Sequence, residues 1–266
     1  MSSAPAPAKL NLALLVGPRR PDGKHEVATV LQRLALADTI DLEPAGQLAV
    51  DGFPEDTLVR GALETLAERA GVAPHWRARI AKEIPVAAGL GGGSSDAATA
   101  LRLANATLER PLPASELAQL GATLGADVPF FLAEGPQLGT GDGSTLEPLT
   151  IPQEHAVLLV LPQGERKSST RAVYEDFDRR DGARGFAERR ARLAAALSPP
   201  DLAALPPNDL VSSPIADELR ALGAFRADVS GAGPVVYGLF VDRAAADAAE
   251  AEIRNRGRTW ITTPEW

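Results

Sequence analysis

Residues 85–95 read Pro-Val-Ala-Ala-Gly-Leu-Gly-Gly-Gly-Ser-Ser and contain almost no bulky side chain. The four glycines, at positions 89, 91, 92 and 93, leave no Cβ atom to keep an anion away from the backbone. A helix that follows such a loop directs unpaired N–H groups and its positive dipole end at the anion. Ser94 and Ser95 add hydroxyl donors. The segment therefore predicts a loop that binds phosphate.

The segments on either side of this glycine loop have the patterns of a strand and a helix. The alternation in Arg79–Pro85 predicts a strand that Pro85 ends. In Asp96–Leu108, apolar residues spaced four, three and four apart fall on one helical face, namely Ala97, Leu101, Ala104 and Leu108. The predicted order is strand, glycine loop and helix.

Two common phosphate motifs fit the loop poorly. The P-loop requires a lysine after its last glycine, and none is present here. The dinucleotide fingerprint fits Gly89–Gly93 but meets Ser94 where its third glycine belongs, and no strand with an acidic end follows. A glycine-rich turn packed on a neighbouring strand is the alternative without a ligand. Four glycines combined with two serines favour phosphate binding over that alternative.

The length and patterning of the chain predict two α+β domains. A chain of 266 residues with 45% hydrophobic content suits two modest domains, and the composition changes near Thr150–Pro152, so we place domains at 1–150 and 151–266. The first half reads as strands at 10–16, 40–43 and 48–50 and a helix at 58–70. The second half predicts a split βαβ sandwich, with strands at 156–161, 227–230 and 235–241 and helices at 184–197, 214–222 and 244–256.

Composition also excludes several classes of function. There is no cysteine, so disulfides and thiol nucleophiles are excluded, and three histidines do not suggest a zinc site. The net charge of −8 argues against a nucleic-acid partner. No signal peptide and no apolar stretch of membrane-spanning length is present. We therefore expect a cytoplasmic protein with no membrane partner.

Three further segments contain residues suited to chemistry. Lys9 and Asn11 lie on one face of a predicted strand, although an edge strand facing water would give the same pattern. Asp127 is a lone carboxylate in an apolar run, and a turn or capping aspartate before Pro129 is the alternative. Residues 230–234, Ser-Gly-Ala-Gly-Pro, form a second loop of small residues that either approaches a ligand or turns a hairpin. A phosphate loop, a lysine and an aspartate together suit phosphoryl transfer.

The order of these motifs resembles that of the GHMP kinase superfamily. The resemblance rests on Pro7–Leu12, Pro85–Asp96, Leu124–Pro129 and Ser230–Pro234, and it covers almost the whole chain. Within the superfamily, the chain most resembles the kinases of 4-diphosphocytidyl-2-C-methyl-D-erythritol, which belong to the non-mevalonate route to isoprenoids. This closer resemblance rests on Asp22-Gly23 followed by His25 and on the full glycine loop.

This resemblance implies a fold and a reaction. The implied fold has an N-terminal ribosomal-protein-like βαβ domain with a left-handed crossover, which binds ATP, and a C-terminal ferredoxin-like sandwich. The implied reaction transfers the γ-phosphoryl group of ATP to the 2-hydroxyl of the cytidylyl substrate, with Mg²⁺ screening the phosphates. The implied assembly is a monomer or a weak homodimer.

Site residues follow from the same resemblance. Asp127 would be the base that receives or orients the hydroxyl proton, and Lys9 would keep Asp127 ionised and stabilise the moving phosphoryl group. Asn11, His25 and Tyr174 would bind substrate together with Asp127, with His25 and Tyr174 contacting the cytosine. The ATP contacts would be Lys82, Pro85, Val86, Ala87, Ala88, Gly89, Leu90, Gly91, Gly92, Gly93, Ser94 and Ser95. No residue is assigned as a metal ligand.

Two positions depart from the family pattern. Lys24 stands where a tyrosine usually precedes the histidine, which puts the usual aromatic sandwich around cytosine in question. Thr57 stands where an asparagine is common near the nucleotide base. Two other functions remain open: a homoserine or mevalonate type of kinase, and a nucleotide-binding module without turnover.

Overall fold

The structure, a computed structural model, describes residues 1–53, 58–164 and 169–265. Thr57 therefore lies outside the described residues. The chain divides into two compact units that alternate along the sequence. The first unit comprises Met1–Ala8, Leu36–Val86 and Gly91–Glu134, and the second comprises Lys9–Ala35, Ala87–Leu90 and Gly135–Trp266. The sequence boundary near residue 150 stays a prediction.

Strands and helices are mixed along the chain, as the α+β class predicts. The strands are β1 (Ser2–Arg19), β2 (His25–Pro44), β3 (Ala49–Asp51), β4 (Trp76–Ala81), β5 (Gln137–Gly141), β6 (Thr145–Pro148), β7 (Ala156–Pro162), β8 (Arg226–Val229), β9 (Val236–Phe240), β10 (Gly257–Thr262) and β11 (Pro264–Glu265). The helices are α1 (Leu58–Ala70), α2 (Gly92–Asn105), α3 (Ala114–Leu124), α4 (Val128–Leu132), α5 (Thr170–Arg179), α6 (Phe186–Ala196), α7 (Pro214–Ala221) and α8 (Arg243–Ile253).

The first unit is built on a βαβ arrangement. Strand β3 pairs in parallel with β4, and helix α1 lies between them in sequence. The other edge of β4 pairs antiparallel with Thr39–Pro44 of β2. Helix α1 packs on α2, and α2 and α3 pack on α4. Along α1 the buried residues recur at helical spacing, so the apolar face of this helix forms part of the core of the unit.

The second unit contains an antiparallel sheet with the strand order β10-β7-β9-β8. Helices α7 and α8 pack on this sheet over a continuous apolar core. Along the chain, these six elements follow the order β7, α7, β8, β9, α8 and β10, which is the pattern βαββαβ. With the four strands numbered 1 to 4 in chain order, the sheet order is 4-1-3-2, which is that of a ferredoxin-like split βαβ sandwich. Elsewhere in the unit, Val27–Leu31 of β2 pairs with β5, and β5 pairs with β6. The sandwich predicted for the second half of the chain is therefore confirmed.

Several predicted boundaries are wrong, and each error has a local cause. Strand β4 ends at Ala81, because the N–H groups of Glu83 and Ile84 bind the Asp38 carboxylate instead of a neighbouring strand. Helix α2 begins at Gly92 and ends at Asn105, whose side-chain amide exchanges two hydrogen bonds with the backbone of Leu112. Ser94, Ser95 and Asp96 thus belong to the first turns of α2, and Leu108 lies beyond its end.

Other elements were predicted only in part or were missed. Strands β1 and β2 are much longer than expected, since their buried runs lack the alternation that marks a half-exposed strand. Strands β5, β6, β10 and β11 carry no clear periodic pattern in the sequence, and helix α5 was missed although it is amphipathic. Within the described ranges, no helix is both long and apolar enough to cross a membrane.

Candidate active site

Main-chain hydrogen bonds hold the glycine loop between two other predicted motifs. The backbone N–H of Lys9 donates to the carbonyl of Leu90 over 2.9 Å, and that of Val235 donates to the carbonyl of Ala88 over 3.2 Å. The Ser230 hydroxyl donates to the Gly89 carbonyl over 2.9 Å. Lys9 of β1, residues 88–90 of the glycine loop and the 230–234 loop are therefore brought together, as a shared site requires.

Gly89 is the point of closest approach in this junction. Its φ angle is +84°, and an added Cβ atom would lie 2.3 Å from the carbonyl oxygen of Ser230. That distance is far inside van der Waals contact, so only glycine fits at this position. Ala87 also has a positive φ, of 55°, which costs about 1–3 kcal/mol for a residue with a Cβ atom. The loop thus combines an obligatory glycine with one strained alanine.

Lys9 and Asn11 point into the same buried polar cluster. The Lys9 ammonium donates to Asn11 Oδ1 over 2.5 Å, and the two residues are 4% and 5% exposed. Asn11 Nδ2 donates to the Thr29 hydroxyl over 2.8 Å, which in turn donates to the Ala13 carbonyl over 2.7 Å. This chain of donors fixes the Asn11 amide with its oxygen toward Lys9. A water-facing edge strand does not bury a lysine in this way, so that alternative is wrong.

The 230–234 loop lies against this lysine. A Cβ atom on Gly231 would be 3.2 Å from Asn11 Oδ1 and 3.6 Å from the Lys9 ammonium. The loop therefore reaches the polar cluster with backbone alone. A side chain at position 231 would crowd the space beside the ammonium, which is the space that a reacting group needs.

Helix α2 begins inside the glycine loop without a side-chain cap. Gly91 occupies the N-cap position with φ 71° and ψ 15°, and no side-chain hydrogen bond caps the helix. The first-turn N–H groups of α2 are thus not taken by a capping side chain. An anion such as a phosphate satisfies such groups and interacts favourably with the helix dipole.

A buried ion-pair cluster lies beside the start of α2. Lys82 donates to Asp38 Oδ2 over 2.5 Å and to Asp96 Oδ2 over 2.7 Å, while Asp38 Oδ1 accepts from the N–H groups of Glu83 and Ile84. Both carboxylates are fully buried. A Cβ atom on Gly92 would lie 3.3 Å from the Lys82 ammonium. Asp38 therefore joins β4, Lys82 and the first residue of α2.

One ammonium placed between two buried carboxylates leaves an excess negative charge. Burial raises the pKa of Asp96 to about 7, and the hydrogen bond from Lys82 only partly opposes that rise. For Lys82, burial lowers the pKa, but the hydrogen bonds to Asp38 and Asp96 outweigh it, so the pKa is raised overall. Lys82 thus stays charged, and Asp96 is the member of the cluster that takes up a proton near neutral pH.

His25 lies at the start of β2 against helix α5. Its Nε2 atom is 2.8 Å from Asp178 Oδ1, and its ring centroid is 5.0 Å from that of Tyr174 and 5.8 Å from that of Phe177. Helix α5 therefore places Tyr174 next to His25 of β2, so the two predicted residues lie together. Asp178 follows Tyr174 by one helical turn, so both side chains lie on the same face of α5.

Lys24, which stands in place of the expected tyrosine, forms an ion pair. Its ammonium donates to Asp142 Oδ2 over 2.5 Å, and its side chain is 61% exposed. The hydrogen bond from Lys24, followed by one from Ser144, lowers the pKa of Asp142 to about 2. Lys24 is thus tied to the β5–β6 turn in this structure instead of stacking beside His25.

Asp127 directly precedes helix α4 and is partly buried. It occupies the N-cap position with φ −83° and ψ −16°, but its carboxylate does not cap the helix. Its side chain therefore does not cap α4, but the alternative of a turn aspartate before Pro129 describes its backbone correctly. The expected closeness of Lys9 to Asp127 stays a prediction.

Sequence reasoning missed four polar residues of these clusters. They are Thr29, Asp38, Asp178 and, as the partner of Lys82, Asp96. Only Asp178 had a usable signal, namely its spacing of one turn from Tyr174 on an amphipathic helix. Among residues 1–53, 58–164 and 169–265, no three His, Asp or Glu side chains are grouped to hold a metal ion.

This chain is similar to known proteins over most of its length. The family models "GHMP kinases N terminal domain" and "GHMP kinases C terminal" match residues 57–135 and 189–259. A 4-diphosphocytidyl-2-C-methyl-D-erythritol kinase of Pelobacter propionicus is 40% identical, covering 93% of this chain and 92% of the relative. One of Kineococcus radiotolerans is 39% identical, covering 92% of this chain and 83% of the relative.

Solved structures show the same similarity. A crystal structure of 4-(cytidine 5'-diphospho)-2C-methyl-D-erythritol kinase is 32% identical, with a TM-score of 0.83 and full coverage of both chains. The mevalonate kinase of Methanococcus jannaschii has a TM-score of 0.79 at 14% identity, covering 100% of this chain and 98% of the other, so it shares the fold alone.

We predict that Gly89→Ala weakens ATP binding at least about tenfold, because the new methyl group would push the loop off the Ser230 carbonyl. Gly71→Ala is the matched control, since Gly71 also has a positive φ, of +67°, but has nothing within 4 Å of an added Cβ atom. The control should lose about 1 kcal/mol of stability and bind ATP normally. Isothermal titration calorimetry measures both affinities, and unchanged affinity in Gly89→Ala would contradict the role of the close approach.

We predict that Asp96→Asn changes the pH dependence of stability. The folded protein holds a proton on Asp96 up to about pH 7, whereas the unfolded chain loses it near its ordinary pKa of 3.8. The contribution of Asp96 to stability is therefore fully present below its unfolded-state pKa of 3.8, and it is lost as the pH rises through its folded-state pKa of about 7. Asparagine does not titrate, so the stability of the variant relative to wild type should rise across this window.

Urea unfolding of the two proteins at about pH 5 and about pH 8 measures this difference. Asp51→Asn, at an exposed carboxylate paired with Arg77, controls for the loss of one negative charge. A difference between Asp96→Asn and wild type that stays constant with pH would show that Asp96 does not titrate as described.

Proposed function

The chain belongs to the GHMP kinases and, within them, to the 4-diphosphocytidyl-2-C-methyl-D-erythritol kinases, and from this premise we propose that it phosphorylates that cytidylyl alcohol. The γ-phosphoryl group of ATP goes to the 2-hydroxyl, giving the 2-phosphate and ADP, in the non-mevalonate route to isoprenoid precursors. The predicted two-domain GHMP kinase fold is confirmed by the same comparisons.

The observation that carries the proposal is the junction of Lys9, the glycine loop and the 230–234 loop. It fixes the carbonyls of residues 88–90 through hydrogen bonds from Lys9, Ser230 and Val235, and it keeps a buried ammonium beside Gly231. Phosphoryl transfer depends mainly on position and on neutralising charge, and this junction supplies both. We assign the ATP phosphates to residues 85–95 and the adenine side to Lys82.

The reacting hydroxyl belongs to a tertiary alcohol, which is a hindered and weak nucleophile. In our proposal its oxygen forms the new bond to the γ-phosphorus, while the bond from that phosphorus to the β–γ bridging oxygen breaks. Asp127 accepts the proton that the hydroxyl loses. Lys9 offsets the negative charge that moves between the oxygens during transfer, and Asn11 keeps the Lys9 ammonium in place through its side-chain oxygen.

Substrate recognition is proposed to rest on His25, Tyr174 and Asn11. The close, tilted packing of His25 against Tyr174 supports a cytosine site, because an aromatic face and an imidazole together bind a planar base. Lys24 makes an ion pair in place of the second aromatic partner, so we expect one-sided stacking of the base.

Mg²⁺ is included in the proposal, and two oxygens suit it. Ser95 Oγ and Asp96 Oδ1 are buried and have no hydrogen-bond partner within the described residues. Hydroxyl and carboxylate oxygens are the ligands that Mg²⁺ takes when phosphates complete its coordination. When bound, the ion would screen the charge of the phosphates. We further propose a cytoplasmic monomer or weak homodimer with a domain boundary near residue 150.

ADP release by the purified protein tests this function directly. The protein is given ATP and Mg²⁺ with 4-diphosphocytidyl-2-C-methyl-D-erythritol, homoserine, mevalonate or no acceptor. Release that depends on the cytidylyl alcohol is the expected result. Release with another acceptor alone would point to a different kinase of the superfamily, and ATP binding without release would point to a module that has no turnover.

We predict that Asp127→Asn lowers turnover by about two powers of ten or more and leaves ATP affinity nearly unchanged, since it removes the proton acceptor and not a phosphate contact. Asp247→Asn is the control, because Asp247 is an exposed carboxylate paired with Arg243 on α8. Steady-state kinetics and calorimetry measure the two effects. Wild-type turnover in Asp127→Asn would contradict the assigned role.

A further inference from the structure

His25 is held by a carboxylate that the proposed function leaves unused. His25 is 7% exposed, and its Nε2 atom is 2.8 Å from Asp178 Oδ1. The other oxygen of Asp178 accepts two hydrogen bonds from Arg19, from Nη2 over 2.5 Å and from Nε over 3.1 Å. The order Arg19, Asp178, His25 is therefore a continuous hydrogen-bonded chain from the end of β1 through α5 to the start of β2.

The two ends of this chain fix which atoms donate. Arginine only donates hydrogen bonds, and an ionised carboxylate only accepts them. The hydrogen bonds from Arg19, followed by the one from His25, lower the pKa of Asp178, so its carboxylate stays ionised at neutral pH. Nε2 of His25 must then carry the proton that it donates to Asp178.

The other ring nitrogen of His25 is left as an acceptor in the neutral imidazole. Across the described ranges of the chain, no hydrogen bond involves Nδ1 of His25. The ring is packed against Tyr174 and Phe177, which restrict its rotation. An imidazole held in this way presents one acceptor in a fixed direction.

We infer that Asp178 is a positioning residue that keeps Nδ1 of His25 unprotonated, so that the site accepts a hydrogen bond from the cytosine amino group and rejects uracil. Cytosine has an amino donor at C4, whereas uracil has a carbonyl acceptor there. Two acceptors facing each other leave both unpaired, and such a mismatch discriminates strongly between substrates. This inference rests on the proposed function, because it concerns the base of the substrate.

Asp178→Asn gives a sharp test because Arg19 dictates how the new amide turns. Arg19 only donates hydrogen bonds, so we expect the amide oxygen to face Arg19 and the amide NH₂ group to face Nε2 of His25. Nε2 then accepts, and the proton moves to Nδ1. The substitution should therefore convert the substrate-facing nitrogen from an acceptor into a donor, while the shape of the side chain is preserved.

The tautomer itself is read by ¹⁵N NMR of the histidine rings. The chain contains three histidines, and His25→Ala identifies the signals of His25. We expect protonated Nε2 in the wild type and protonated Nδ1 in Asp178→Asn. Protonated Nδ1 in the neutral ring of the wild type would overturn the inference, whatever the enzyme's substrate is.

Base selection is read by kinetics with the cytidylyl substrate and its uridylyl analogue. Asp178→Asn should lower the ratio of the two kcat/KM values about tenfold or more and leave the KM for ATP unchanged. Asp176→Asn, on the same helix and paired with Arg179, should keep the wild-type ratio. Adding Asp178→Asn to His25→Ala should have no further effect on the ratio, since Asp178 acts through His25.

Equal losses on both substrates, or an effect that persists in His25→Ala, would show that Asp178 only supports the fold. The two proposals fail differently. A wild-type protein that turns over neither substrate contradicts the proposed function, whereas a wild-type protein that uses both equally contradicts the inference about Asp178 alone.

Discussion

The approach of Gly89 to the carbonyl of Ser230 is the constraint on which the rest of the site depends. Three segments that are far apart in sequence, at Lys9, residues 88–90 and residues 230–235, share main-chain hydrogen bonds around this contact. Any Cβ atom at position 89 would overlap Ser230. Packing against Ser230 therefore fixes the glycine loop at position 89, and in the proposed function the backbone N–H groups of the loop bind phosphate.

Buried charged side chains also fix the geometry of the site. Lys9 is held by the amide of Asn11 and the hydroxyl of Thr29 behind it, and Lys82 is held by two buried carboxylates. Removing an ion from water is costly unless hydrogen bonds replace the lost solvent. Each ammonium is thus confined to one position, which suits the proposed roles of Lys9 at the moving phosphoryl group and of Lys82 on the adenine side. The Arg19–Asp178–His25 chain applies the same principle at the base of the substrate.

Part of this organisation could be predicted from the sequence. The glycine loop, the helix after it and the ferredoxin-like sandwich follow from local patterns, because glycine content and periodic apolar residues are local properties. Asp38 and Thr29 could not be predicted, since their roles depend on partners 44 and 18 residues away in sequence. The early end of β4 was missed for the same reason, because Asp38 takes the N–H groups of Glu83 and Ile84. Family resemblance supplied His25 and Tyr174, and the structure adds Asp178 between Arg19 and His25.

A crystal structure with a non-hydrolysable ATP analogue tests the central claim most directly. The account predicts that the phosphate oxygens accept hydrogen bonds from backbone N–H groups of residues 89–95 while the Gly89–Ser230 contact stays intact. Phosphates bound elsewhere, or a glycine loop that must leave Ser230 to receive them, would contradict it.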